Sequence, residues 1–223
     1  MPQPAPLDRR LPRMEILQGI SGAILTLFLL VHLHLEASVL FGPGAFDAMA
    51  DFLHAKWADP AGHGFSALVV IAASLMLLIL LVHIYAVARK VPQKLAQYRQ
   101  LRQHLKVIHH GGTRLWLWQL GSGLALLLLV PIHLLTMMLI PEQIGADASA
   151  YRIVFQGGWL LYGLMLPLSV LHATAGITRL WLKWCPISEP RFIGRKLMRG
   201  ITIYLIVLGA ASIAMHVVHG LLA

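Results

Sequence analysis

The sequence predicts an all-α integral membrane protein, a bundle of five transmembrane helices. Three observations predict it. Hydrophobic residues make up 58% of the 223 positions and charged residues only 12%, whereas a soluble domain of this size is about a quarter charged. Mean hydropathy is +0.73. Five apolar stretches, at about 15–40, 64–88, 115–140, 155–182 and 200–222, are each long enough to cross a bilayer, since a crossing takes about 20 apolar residues. Finally, the net charge of +9 sits in clusters between these stretches. Basic loops beside membrane spans explain that charge, and no nucleic-acid partner is expected.

In lipid every backbone N–H and C=O must be satisfied within the chain, so continuous runs of this length mean helices. Span one follows a polar tail. Arg9 and Arg10 resemble an export signal, but the apolar run from Ile16 to Leu40 is too long for a signal core. Spans three and four contain Pro131 and Pro167, where a missing backbone donor predicts kinks. Residues 1–223 read as one transmembrane domain. The single cysteine, Cys185, excludes an intrachain disulfide, and no C-x-x-C-H motif is present for thioether-linked haem.

Orientation follows from the Lys and Arg positions. The N-terminal tail carries three, segment 89–114 carries seven and segment 179–199 carries six, while segments 41–63 and 141–154 carry one each, Lys56 and Arg152. With five spans the three basic segments share a side, which the positive-inside rule makes cytoplasmic. The expected location is a bacterial inner membrane, with the N-terminus cytoplasmic and the C-terminus outside.

Histidines inside the spans carry the chemistry. Polar groups in a span are costly and usually functional, and His32, His83, His133 and His172 lie well inside apolar runs. His32 and His133 each sit eight residues before the outer end of their spans, roughly 12 Å deep at 1.5 Å per residue. His83 and His172 sit six and seven residues before Arg89 and Arg179, roughly 9–10 Å from the inner boundary. Two levels with two histidines each match the axial needs of two six-coordinate haems. The bland alternative is four histidines bonded separately to neighbouring carbonyls or hydroxyls. A zinc site would keep its ligands together, which two separated levels do not.

An internal repeat supports the pairing. Gln18-Gly19-Ile20-Ser21-Gly22 precedes His32, and Gln119-Leu120-Gly121-Ser122-Gly123 precedes His133, with fourteen residues from glutamine to histidine in both. The small residues let a helix approach a neighbour or a flat macrocycle closely.

With this repeat, His83 followed by Arg89-Lys90-Val91-Pro92, His110-Gly111, Leu115-Trp116, Met137-Met138, and His172 with Gly176, Arg179, Leu180 and Lys183-Trp184, the chain resembles the cytochrome b subunit of dihaem succinate:quinone oxidoreductases. The fumarate reductases that oxidise menaquinol are the members it resembles in particular. The resemblance runs from about Leu17 to Leu208. It implies two haems b and the same histidine pairing. It also implies docking on an iron–sulfur subunit, which in turn carries a flavoprotein with covalent FAD; a homodimer of the complex is an allowed assembly. By resemblance, Gln18, Trp116 and Lys183 bond propionates of the inner haem, His110 sits at the same edge, and Arg152 sits at an outer propionate. Some members carry a glutamate two residues before the fourth histidine, thought to serve a transmembrane proton path. Here that position is Val170.

Glu36 lies four residues after His32 and therefore shares its helix face. It marks a candidate quinone site near the outer haem, with an interfacial carboxylate as the alternative. His34 points about 200° around the helix from His32 and should miss the same haem. His54, His63, His104 and His109 read as loop residues, and His216 and His219, near the outer end of span five, as interfacial residues, with the lining of a quinone pocket as the alternative. No flavin, phosphate or nucleophile motif is present, so quinone redox chemistry and electron transfer are the expected activity. The alternatives are a dihaem cytochrome b of the nitrate reductase or hydrogenase type, and a redox-inactive anchor.

Overall fold

The computed structural model describes residues 10–92, 94–107, 111–184 and 191–222. Among these, eight α-helices are present: α1 (Arg10–Glu36), α2 (Pro43–Leu53), α3 (Ser66–Ala88), α4 (Leu95–Val107), α5 (Gly111–Leu139), α6 (Ala146–Phe155), α7 (Gly158–Trp184) and α8 (Arg191–Leu222). Helices α1, α3, α5, α7 and α8 are long and apolar enough to cross a membrane. Pro131 and Pro167 lie inside the continuous helices α5 and α7.

The bundle is turned outward compared with a soluble protein. Large apolar side chains such as Leu27, Ile71, Leu78, Leu128 and Val207 are more than half exposed, as lipid-facing surface must be. Small residues, including Ala73, Ala86 and Ala175, are buried where helices meet, because close packing rather than hydrophobic exclusion holds helices together in lipid. Thr26, Thr136, Thr174, Thr178 and Thr202 each donate to the carbonyl four residues earlier, so these five hydroxyls are satisfied within their own helices.

Helices α1 and α3 pack as one pair and α5 and α7 as another. The two pairs meet along α3·α5 and α1·α7, and α8 closes the bundle against α7 and α1. Leu33, Leu166, Val170 and Leu205 form the core where α1, α7 and α8 converge, and Val170 is fully buried there.

The connections alternate between two ends. Helices α2 and α6 lie at the end away from the basic segments, called the far end below. Asp47 accepts from the N–H of Ala146 at 2.7 Å, tying α2 to the start of α6. The ring nitrogens of His54 meet the carbonyls of Ala50 at 2.8 Å and Pro141 at 3.1 Å, so this buried loop histidine staples the two far-end connections. Asp59 accepts from the N–H groups of Ala61, His63 and Gly64. These bonds hold its carboxyl below the usual range.

At the basic end, Glu15 of α1 gathers Arg89 and Lys90, from just past α3, and Lys183 of α7. Lys90 Nζ lies 2.9 Å from the carboxylate. Burial lowers the Lys90 ammonium below its ordinary value against the opposing pull of Glu15.

Candidate functional site

The four intramembrane histidines face one another in two pairs. The rings of His83 (α3) and His172 (α7) are 6.5 Å apart between centroids and inclined by 80°. Those of His32 (α1) and His133 (α5) are 6.1 Å apart and inclined by 48°. Each packed helix pair therefore contributes one histidine to each level.

The basic-end pair is held by the repeated motif. Ser21 gives its own proton to the Leu17 carbonyl at 2.7 Å, and its Oγ lies 3.0 Å from Nδ1 of His83. A hydroxyl already donating offers lone pairs only, so Nδ1 carries the proton. Ser122 repeats the arrangement, donating to Trp118 at 2.7 Å and lying 3.2 Å from Nδ1 of His172. The Gln119 carbonyl, which can only accept, is 3.0 Å from the same nitrogen. Both imidazoles thus take the tautomer that leaves Nε2 with its lone pair, the form a metal needs. The glycine after each serine provides the seat. A Cβ on Gly22 would come within 3.1 Å of His83 Cε1, and one on Gly123 within 3.0 Å of His172 Cε1.

At the far-end pair, Phe28 stacks on His32 at 5.4 Å, and the rings of Tyr162 and His133 meet nearly at right angles, 5.6 Å apart. Nδ1 of His133 is buried with no partner among the described residues. A cleft of about 410 Å³ opens here, lined by Thr136, Arg152, Gln156 and Tyr162 among others.

These residues fit an iron with two axial imidazoles. Two metal–nitrogen bonds of about 2.0 Å, with about 1.1 Å from each Nε2 to its ring centre, require centroids about 6.2 Å apart. The observed 6.1 and 6.5 Å bracket that value. No group of three or more metal-ligating side chains occurs among the described residues.

The remaining sequence-predicted residues are placed as follows. Gln18 is near the basic end of α1, its Oε1 buried with no partner among the described residues. Trp116 is half-buried on α5. Lys183 pairs with Glu15 and sits 5.2 Å over the Trp184 ring. Arg152 is buried on α6 and donates to the Gln143 carbonyl. Glu36 is half-buried at the last residue of α1. His34 donates from Nδ1 to Leu30 at 2.7 Å and accepts at Nε2 from the Tyr204 hydroxyl at 2.9 Å. His219 pairs with Asp147. His110, His109 and Cys185 lie outside the described residues, as does the side chain of His104.

Sequence reasoning missed Glu15 as the hub of three cations, and missed Gln119 as the acceptor for Arg179. An acid at the mouth of an apolar run, facing a basic segment, was the available signal for Glu15.

Fold and site together define a helical transmembrane protein with paired intramembrane histidines. Comparison with known proteins narrows the class. Residues 96–211 match the model of the succinate dehydrogenase/fumarate reductase transmembrane subunit. Fumarate reductase cytochrome b subunits from two strains of Helicobacter pylori are 34% identical over 210 residues, 94% of this chain and 82% of theirs. The fumarate reductase cytochrome b subunit of Wolinella succinogenes is 28% identical over 218 residues, 95% of this chain and 84% of its own. The chain belongs to the succinate dehydrogenase/fumarate reductase transmembrane subunit family. Membership makes it part of an oxidoreductase complex, and favours the fumarate reductase reading over the nitrate reductase or hydrogenase alternative.

Proposed function

We propose that this chain is the dihaem cytochrome b anchor of a menaquinol:fumarate oxidoreductase, passing electrons between menaquinol and the iron–sulfur and flavoprotein subunits. The observation that carries the reading is the pair of facing imidazoles at each of two depths, 6.1 and 6.5 Å apart. His83 and His172 would hold the haem at the basic end, and His32 and His133 the haem at the far end. When bound, each haem b supplies a one-electron carrier. The protein's own residues supply the rest. Ser21 and Ser122 fix the imidazole tautomers. Gln18, Trp116 and Lys183 would meet propionates at the basic end, with His110 at the same edge, and Arg152 would meet one at the far end.

The basic end is proposed to face the cytoplasm and to carry the iron–sulfur subunit directly and the flavoprotein indirectly, in a bacterial inner membrane. The chain holds no FAD or iron–sulfur motif, so the dicarboxylate step belongs to those partners. Two carriers at different depths are needed only if donor and acceptor lie at opposite ends. We therefore place menaquinol at the far end, beside His32 and Glu36. Quinol oxidation releases two protons, and Glu36 offers a carboxylate to accept one.

A reduced-minus-oxidised spectrum with a pyridine haemochrome count on the purified complex tests the core of the reading. Two haems b per chain are expected, and one or none contradicts it. For the quinone site, Glu36→Gln with full haem content should lose most quinol oxidation while fumarate reduction from an artificial soluble donor persists. Unchanged quinol turnover removes Glu36 from the site.

A further inference from the structure

Six buried polar atoms have no hydrogen-bond partner among the described residues, and five of them are in the half of the bundle toward the far end: Ser38 Oγ, His133 Nδ1, Arg152 Nε and both ring nitrogens of His216. Each such atom has lost its hydration, a cost that a partner has to offset. The clustering points to an occupant of that end with hydrogen-bonding groups of its own.

Arg152 specifies its charge. The residue is only 8% exposed, and one guanidinium nitrogen donates to the Gln143 carbonyl. No carboxylate among the described residues pairs with it. Asp147, on the same helix, is taken by His219, and Asp47 accepts from the Ala146 N–H. A buried guanidinium without an anion is a costly arrangement, so the occupant is anionic.

His216 is 2% exposed. Its ring lies nearly perpendicular to that of Phe46, with centroids 4.9 Å apart; Phe46 belongs to the cluster of Val39, Phe46 and Ala146 against which Met215 packs. One turn further along α8, a Cβ on Gly220 would come within 3.1 Å of the Ala150 carbonyl of α6. The histidine therefore lies where α8 is pressed against α6, the helix that carries Arg152. Arg152 lines the far-end cleft together with Tyr162, whose ring lies 5.6 Å from that of His133. An imidazole N–H and a guanidinium N–H are both donors, and together they suit a carboxylate.

We propose that His216 is a cofactor-binding residue that, with Arg152, holds a carboxylate buried at the far end, a propionate of the haem seated between His32 and His133. The inference rests on the reading of the paired histidines as haem sites. It gives α8 a place in a cofactor site, although that helix carries none of the four paired histidines.

The test uses the whole complex, with haem propionate carboxyls labelled by growth on 5-aminolevulinate carrying ¹³C at its carboxyl carbon. Redox-difference infrared spectra then isolate propionate bands, and potentiometry assigns them to each haem. In His216→Leu the label-sensitive bands that titrate with the far-end haem should shift, and its midpoint should move negative as a donor to the carboxylate is lost. The basic-end haem should be unaltered. His216→Gln, which keeps an N–H donor, should shift both by less. Unchanged bands in a haem-loaded Leu variant overturn the proposal and leave the imidazole to buried water. If the Leu variant does not load haem, the Gln variant decides: shifted bands support the proposal, and bands identical to wild type overturn it. Absence of haem from the wild-type complex would instead reject the reading on which the inference rests.

Discussion

Ser21 and Ser122 each give their proton to their own helix and present lone pairs to an imidazole from the next one. Groups that orient a metal-bound histidine also raise its basicity, and their loss typically costs about 10–100-fold in metal affinity. On the dihaem reading, Ser21→Ala and Ser122→Ala are therefore expected to weaken retention of the basic-end haem by at least about 10-fold, with the far-end haem untouched. Haem content after dilution and redox titration measure this. Equal loss of both components would mean that the serines support the bundle rather than one site. Truncating the histidines sharpens the test. His83→Ala and His172→Ala should lose one spectral component, and His32→Ala and His133→Ala the other; if the His32 and His83 variants lose the same one, the pairing is wrong. At this scale the sequence was legible through depth, because 1.5 Å per residue turns position into height. It did not reveal that the serine of each motif meets the histidine of the next span, since that contact depends on how the helices turn toward each other.

Among the elements, the basic end of the bundle is tied by one carboxylate. Glu15 joins α1 to the residues following α3 and to the end of α7 through Arg89, Lys90 and Lys183. The three cations also sit at or just past helix C-termini, where they oppose the negative end of the helix dipole. Partly exposed ion pairs contribute about 0.2–1 kcal/mol each. Glu15→Gln should therefore lower thermal stability of the detergent-solubilised complex by a few degrees, with the difference shrinking as salt screens the cluster. A loss of stability that ignores ionic strength would assign Glu15 to packing instead. The five spanning helices were legible from apolar length alone. The short helices α2 and α6 were not, because neither is long enough to cross, and tertiary bonds such as Asp47 to Ala146 fix where they lie.

For the whole molecule, the asymmetry of charge predicts how the bundle sits. Three basic segments share one end, against one basic residue in each of the two connections opposite. Reporter fusions should place Gln97 in the cytoplasm and Ala223 outside, and an active cytoplasmic reporter at Ala223 contradicts the proposed orientation. Cross-linking from Lys94 should capture the iron–sulfur subunit, whereas capture only from Lys56 would reverse the docking face. The packing of the helices also bears on biogenesis. Helices α1 and α3 emerge from the ribosome as a hairpin, and α5 and α7 as a second one. Each hairpin owns one histidine at each depth, so neither can complete a pair by itself. On the dihaem reading, the first hairpin alone offers no site with both histidines of a pair; the far-end pair is complete only when α5 joins it, and the basic-end pair only when α7 does. Insertion of the fourth span then becomes a checkpoint: a chain truncated before His172 should reach the membrane with its first hairpin formed and still be unable to close the basic-end site.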